Sequence, residues 1–220
     1  MKRPGRKMMV FVSTGRCATK RIAEVLRAEL PSSLEVRHQM PVSGMANIVG
    51  NLLFWTGSGE KVRQTVYDAI LRRYAQDKDF ICTDPLISML IPDKYIFSDQ
   101  TAIIHVIRNR ESFARSFLRY TRQHYPSLVA HNLIPFWQPG LYPFENFFNK
   151  DILKKYARIA DTKNEWFFKR YSRNPNYRKI DMDALFDSPV LEQIVADFWG
   201  LDIRIDHSVW SVRANQTRKD

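Results

Sequence analysis

The strongest constraint on the fold is an apolar run at residues 102–107, AIIHVI, which ends at Arg108 and precedes a basic helical pattern. A strand in which almost every side chain is apolar is typical of a parallel sheet covered on both faces. After it, Phe113, Phe117 and Tyr120 recur along one side of a predicted helix. The region therefore predicts a buried strand that leads through Arg108 into a helix.

The same alternation of strand and helix recurs along the chain. Further strands are predicted near 8–13, 34–37, 80–83 and 177–182, and further helices near 22–30, 62–74, 156–168 and 190–199. This repetition favours a three-layer α/β fold in which helices flank a central, mainly parallel sheet. We expect one domain, 1–220, with an insert rich in aromatic residues and proline at about 125–150.

Composition restricts the partners and the compartment. The 34 Lys and Arg residues against 23 Asp and Glu residues give a formal charge of +11, which favours an anionic partner. Cys17 and Cys82 are too few for a disulfide framework and lack zinc-site spacing, so we expect a reducing compartment. The first apolar run is too short for a signal peptide or a membrane span. These features predict a cytoplasmic protein without a membrane span.

The loop after the first strand, residues 13–21, reads STGRCATKR. Backbone N–H groups at a helix start, together with Arg16, Thr19, Lys20 and Arg21, would bind phosphate. The alternative is a basic turn without a ligand. A Walker A motif is not present, because Lys20 follows Thr19 rather than glycine and precedes Arg21 rather than a hydroxyl residue that could bind magnesium. The loop therefore predicts a phosphate site that works without a metal.

A second phosphate site is predicted where Arg108 leaves its strand at the same edge of the sheet. Ser116 follows eight residues later, on the next helix, and would hold the phosphate together with Arg108. Two phosphate sites without a metal suggest a nucleotide with separate phosphates. One such nucleotide is 3′-phosphoadenosine 5′-phosphosulfate (PAPS).

Four segments then resemble one family, the PAPS-dependent sulfotransferases. VFVSTGRCATKRIAEVL resembles the family's 5′-phosphosulfate loop, and IIHVIRNRESFARSF resembles its 3′-phosphate motif. FICTDPLISMLIP is similar to the family segment K-T-H-L-P-L-S-L-L-P, and DMDALFDSPVLEQIVADFWGL is similar to the later Y-E-D-L region. The resemblance implies a P-loop NTPase-like sulfotransferase fold. It also implies sulfuryl transfer from PAPS, without a metal, to a hydroxyl or amine of a small-molecule or carbohydrate acceptor.

The resemblance also implies which residues bind the donor and its product, adenosine 3′,5′-bisphosphate. These are Arg16, Cys17, Ala18, Thr19, Lys20, Arg21, Arg108, Ser116 and, near the end of the chain, Arg213. The chain departs from the family at several of them. Arg16 replaces the lysine that contacts the leaving phosphate, Ala18 replaces a glycine, and Arg21 stands where cytosolic members have a tryptophan.

The catalytic residues implied by the resemblance are Arg16 and one general base. Cytosolic members have a histidine where this chain has Asp84, and other members use a glutamate close to the position of His38. Asp84 would need burial to raise its pKa toward neutrality, whereas His38 starts in the right range. Both remain candidates. The alternatives are that Asp84 caps a turn and that His38 has no catalytic role.

Two other functions are compatible with the basic composition. A P-loop-type nucleotide kinase would need a magnesium ligand, which the loop sequence does not supply. A nucleic-acid-binding protein would need clustered basic residues, whereas those of this chain are scattered through every segment and form no known nucleic-acid module. We therefore expect no nucleic-acid partner. The sequence predicts neither the acceptor nor the oligomeric state.

Overall fold

The computed structural model describes residues 6–57, 59–124, 126, 129, 138, 151–187 and 189–205, with backbone only for 186 and 187. The strands are β1 (Met8–Val12), β2 (Leu34–Arg37), β3 (Asp79–Cys82), β4 (Thr101–Ile107) and β5 (Asn176–Asp181). The helices are α1 (Thr19–Glu29), α2 (Ser43–Thr56), α3 (Glu60–Tyr74), α4 (Asp93–Ile96), α5 (Arg110–Gln123), α6 (Ile152–Tyr171), α7 (Ala184–Asp187) and α8 (Val190–Trp199). A 3₁₀ turn lies at Ser88–Leu90.

The described strands form one parallel sheet in the order β2-β3-β1-β4-β5. β1 lies in the centre, where Val10 is opposite Cys82 of β3 and Val12 is opposite His105 of β4. This arrangement confirms the predicted α/β fold with a parallel sheet. All carboxyl ends of the strands consequently meet at one edge.

The alternation of side chains along β1 explains why the sheet has helices on both faces. Met9 and Phe11 belong to a core shared with α1 and α8. Met8, Val10 and Val12 belong to a second core, shared with α2, α3 and α6. All five residues are buried, and each side chain of this size contributes about 1.5–3 kcal/mol when removed from water. The strand therefore needs an uninterrupted apolar sequence.

Helix α2 is a long element of the described chain that the sequence pattern does not predict. It contains no charged residue, and it contains Gly44 and Gly50, so it lacks both the amphipathic period and the composition of an ordinary surface helix. Gly50 lets α2 pack closely on the 3₁₀ turn, because a Cβ there would lie 3.1 Å from the Cβ of Met89. This contact joins two separate segments, so the local sequence does not reveal it.

Two parts of the sequence prediction lie outside the described residues. They are Arg213 and the insert at about 125–150, of which the structure describes only residues 126, 129 and 138. The single-domain boundary of 1–220 stays a prediction. Within the described ranges, no helix has both the length and the apolar composition that crossing a bilayer requires.

Candidate functional site

The carboxyl ends of β1 and β4 meet at a reversal in the direction of the chain. The two strands are neighbours, but the chain leaves β1 toward β2 on one side and leaves β4 toward β5 on the other. In open α/β sheets such a reversal opens a crevice in which ligands bind. The loop at residues 13–18 and the side chain of Arg108 both follow these strand ends. The structure therefore brings the two predicted phosphate-binding segments to one place.

The loop after β1 has a strained backbone. Gly15, Arg16 and Ala18 are left-handed, with φ of 86°, 56° and 56°. This conformation costs a residue with a Cβ about 1–2 kcal/mol. Local hydrogen bonds hold it, because Ser13 Oγ accepts from the Gly15 N–H at 3.2 Å and Cys17 Sγ donates to the Gly15 carbonyl at 3.1 Å. The loop is thus held in one shape before any ligand arrives.

Helix α1 begins with backbone donors that its N-cap residue does not satisfy. The N-cap is Ala18, whose side chain cannot accept a hydrogen bond, and the first turn contains no acidic residue. Its first N–H groups carry the positive end of the helix dipole. Thr19 is buried, whereas Lys20 and Arg21 pair with Glu24 at 3.9 and 3.1 Å. Lys20 and Arg21 were both predicted to bind phosphate, and part of their positive charge is therefore neutralised by Glu24 within the helix.

A hydrogen bond joins the two strand ends directly. Arg108 Nη1 donates to the carbonyl oxygen of Arg16 at 2.7 Å. The guanidinium of Arg16 lies over the ring of Tyr120, with 4.9 Å from Cζ to the ring centroid. Arg108 therefore reaches the backbone of the loop at Arg16, and the two guanidinium groups are near enough to repel each other. Side chains pointing to opposite sides of the molecule would have excluded a shared ligand.

The two arginines form a partly buried cationic pair. Burial lowers the pKa of both groups, and repulsion from Arg119 acts in the same direction on each. Both guanidinium groups stay charged, because arginine does not lose its proton in proteins. Arg16 Nε is buried and has no hydrogen-bond partner within the described part of the chain, where neither arginine pairs with a carboxylate at ion-pair distance. An anion bound here would supply the missing acceptors.

The hydroxyl that contacts Arg108 is that of Ser112 rather than that of Ser116. Arg108 Nε donates to Ser112 Oγ at 3.0 Å. Ser116 lies one turn further along α5 and is half-buried. Residues four apart lie on the same side of a helix, so Ser112 and Ser116 line one face that begins at Arg108. Sequence reasoning missed Ser112, although its spacing of four from Arg108 was the available signal.

His38 follows β2 at the same edge of the sheet and is half-buried. Its Nδ1 lies 3.1 Å from both the carbonyl oxygen and Oγ1 of Thr83. In the neutral tautomer that donates from Nδ1 to the Thr83 carbonyl, Nε2 keeps its lone pair. Burial lowers the pKa of His38 below its usual 6.5, against the opposing influence of Thr83 and Asp84. His38 is therefore neutral at pH 7, with Nε2 available to accept a proton.

Asp84 has a different environment from His38, although both were predicted as bases. Its side chain is fully buried. Oδ2 accepts from the Ser43 hydroxyl and from the Met40 N–H at 3.3 Å, and Oδ1 accepts from the Leu86 N–H at 2.9 Å. These bonds connect the end of β3 to the start of α2. The geometry favours the alternative in which Asp84 caps a turn.

Cys17 and Arg213 are the remaining residues that were predicted to bind the donor. Cys17 is fully buried, and burial raises the pKa of its thiol, so it stays protonated at neutral pH. Arg213 lies outside the described residues. Where the structure describes the chain, no three His, Cys, Asp or Glu side chains are grouped so that they could hold a metal ion.

Comparisons with known proteins agree with the architecture. No protein-family model and no curated protein matches the chain. Among solved structures, the chain is similar to a sulfotransferase from Alicyclobacillus acidocaldarius, with a TM-score of 0.54 and 12% sequence identity. The match covers 93% of this chain and 86% of that one. The likeness shows the fold: a parallel α/β sheet flanked by helices, built as in a known sulfotransferase.

Proposed function

We propose that this protein is a sulfotransferase that moves a sulfuryl group from PAPS to a hydroxyl or amine of a small-molecule or carbohydrate acceptor. The observation that carries the proposal is the 2.7 Å hydrogen bond from Arg108 to the Arg16 carbonyl. It joins two cationic strand ends at one crevice, as a nucleotide with separate phosphates requires. The fold shared with the sulfotransferase from Alicyclobacillus acidocaldarius supports the same reaction.

In this proposal the donor lies across the two strand ends. The loop backbone, the start of α1 and the Arg16 guanidinium bind the 5′-phosphosulfate. Arg108 and Ser116 bind the 3′-phosphate. Arg108 Nη2 makes no hydrogen bond within the described residues, while Ser112 holds the plane of the guanidinium by accepting from Nε. The contacts already formed by Arg108 thus orient it and leave one nitrogen for the ligand.

The transfer is an in-line displacement at sulfur. The acceptor oxygen or nitrogen forms a bond to sulfur while the bond from sulfur to the 5′-phosphate oxygen breaks, and that oxygen keeps the electron pair. Arg16 stabilises the negative charge that develops on it. The acceptor proton passes to Nε2 of His38, which the Thr83 contact keeps unprotonated in the neutral ring. Adenosine 3′,5′-bisphosphate is the second product.

The free state of both cysteines fits a cytoplasmic location, which we include in the proposal. Cys17 and Cys82 are buried and unpaired with each other. Burial raises the pKa of both thiols. Such thiols persist in a reducing compartment.

Isothermal titration with adenosine 3′,5′-bisphosphate in EDTA tests the proposal. The wild-type protein is expected to bind without a divalent cation. Arg108→Ala is expected to weaken binding by about 10- to 100-fold, because a charge-assisted hydrogen bond contributes about 1.5–3 kcal/mol. Arg115→Ala is the matched control, since Arg115 is on the same helix but its side chain is 63% exposed and pairs with Glu111.

Three results would contradict the proposal or one of its parts. Absence of bisphosphate binding by the wild-type protein in EDTA would remove the function. Binding of ATP that depends on magnesium would favour a kinase instead. If Arg108→Ala and Arg115→Ala bound the bisphosphate equally well, the placement of the 3′-phosphate would be wrong.

A further inference from the structure

A buried lysine on α6 lies at the height of the strand ends. Asn164 Oδ1 lies 3.1 Å from Nε2 of His105, and His105 is opposite Val12, the last residue of β1. Lys163 is the neighbour of Asn164, so it lies at the level where β1 ends and its loop begins. Its side chain is 3% exposed. Lys163 therefore lies within the fold beside the crevice, and not on the protein surface.

The position of Lys163 on α6 is one that normally takes an apolar residue. Tyr156, Ile159, Ala160 and Phe167 recur at helical spacing along the buried face of this helix, and Lys163 continues the same stripe. Burying a charged group without a partner is costly. Lys163 makes no hydrogen bond and no ion pair among the described residues, and burial lowers its pKa to about 8. Packing alone does not explain a lysine here.

The surroundings of Lys163 connect it with the loop after β1. Its electrostatic neighbour is Cys17, which follows Arg16 directly and also interacts with Arg108. Arg16 in the loop, Arg108 at the end of β4 and Lys163 on α6 thus all interact electrostatically with the thiol of Cys17. Among the described residues none of the three pairs with a carboxylate at ion-pair distance. A bound anion would satisfy all three.

We propose that Lys163 is an additional anion-binding residue of this site, which contacts the phosphosulfate oxygens of the donor and stabilises the leaving phosphate. The proposal rests on the proposed function. It adds a cation that reaches the donor from α6, outside all four segments that resemble the sulfotransferases. Arg16 in the loop and Lys163 on the helix would then share the charge that develops on the leaving oxygen.

Lys163→Met tests this role, because methionine keeps an unbranched apolar side chain and removes the charge. Binding of adenosine 3′,5′-bisphosphate is expected to weaken by about 10- to 100-fold, as for the loss of a hydrogen bond to a charged group. The melting temperature without ligand is expected to stay the same or rise. Lys155→Met is the matched control, since Lys155 is also buried on α6, about 12 Å away along the helix axis.

A second measurement uses the wild-type protein, so it does not depend on whether a variant folds. Because burial lowers the pKa of Lys163 to about 8, part of the Lys163 population is unprotonated near pH 8, and binding of the bisphosphate to the wild-type protein is expected to take up a fraction of a proton. Titrations in buffers with different ionisation enthalpies measure this uptake. The lowered pKa of His38 and the raised pKa of Cys17 leave both groups neutral at this pH. Lys163→Met is expected to abolish the uptake.

The outcomes separate this inference from the proposed function. A wild-type protein that does not bind the bisphosphate overturns both. A wild-type protein that binds without proton uptake at pH 8, or a Lys163→Met variant that binds equally well, overturns only the role of Lys163. Equal weakening by Lys155→Met would assign the effect to the packing of α6 and would also overturn it.

Discussion

Replacing Asp84 with alanine is expected to destabilise the fold and to leave nucleotide binding intact. The buried carboxylate accepts hydrogen bonds from the Ser43 hydroxyl and from the N–H groups of Met40 and Leu86. Without the carboxylate, these three hydrogen-bond donors lose their acceptor. Each buried donor left unsatisfied costs about 1–3 kcal/mol. The substitution therefore acts on the connection between β3 and α2 and not on the crevice.

The magnitude follows from these three donors. Because water can enter the space left by the carboxylate, the lower half of the range applies to each donor, and the free energy of unfolding is expected to fall by about 3–6 kcal/mol. For a chain of this size, 1 kcal/mol corresponds to about 2–4 °C in Tm, so Tm is expected to fall by about 6–24 °C. Urea titration followed by circular dichroism gives the free energy, and calorimetry gives Tm.

A milder variant keeps the test informative if Asp84→Ala does not fold. Ser43→Ala removes one donor and keeps the carboxylate, so it is expected to cost about 1 kcal/mol. Below its Tm, Asp84→Ala should bind adenosine 3′,5′-bisphosphate within about threefold of the wild-type affinity. Within the described residues the hydrogen bonds of Asp84 go to Met40, Ser43 and Leu86, and to none of the predicted nucleotide-binding residues. If Asp84→Ala kept its Tm and lost about 100-fold in turnover, Asp84 would be the base and the structural interpretation would be wrong.

Two further predictions concern His38 and Ala18. His38→Gln is expected to lower kcat/KM by about 10²- to 10⁴-fold with little change in Tm, because it removes the proton acceptor. Burial lowers the pKa of His38 below 6.5, so on the acid side wild-type activity should be lost as the pH falls through that lowered value. A rate that still rises above pH 7 would point to another base. Ala18→Gly should raise the free energy of unfolding by about 0.5–1 kcal/mol in urea titration, because glycine adopts the left-handed φ of 56° without strain. A lower free energy of unfolding would show that the backbone at Ala18 is not strained.

The strands were predictable from the local sequence. The side chains of β1 and of β4 up to Val106 are buried on both faces of the sheet, so β1 is apolar throughout and β4 is apolar except at Thr101 and His105. Helix α2 was not predictable in this way. Its 14 residues carry no charge and no clear period, and the contact of Gly50 with Met89 joins residues from separate segments.

The sequence by itself determined the parallel α/β fold, the basic loop at Arg16 and the arginine at the end of β4. Apolar periodicity and turn residues encode these features locally. Only the tertiary structure decided that Arg108 donates a hydrogen bond to the Arg16 carbonyl and that Thr83 contacts the ring of His38. It also decided that the Asp84 carboxylate accepts a hydrogen bond from the Ser43 hydroxyl. These contacts join residues 92, 45 and 41 positions apart. They depend on the order of the strands in the sheet, which no local pattern specifies.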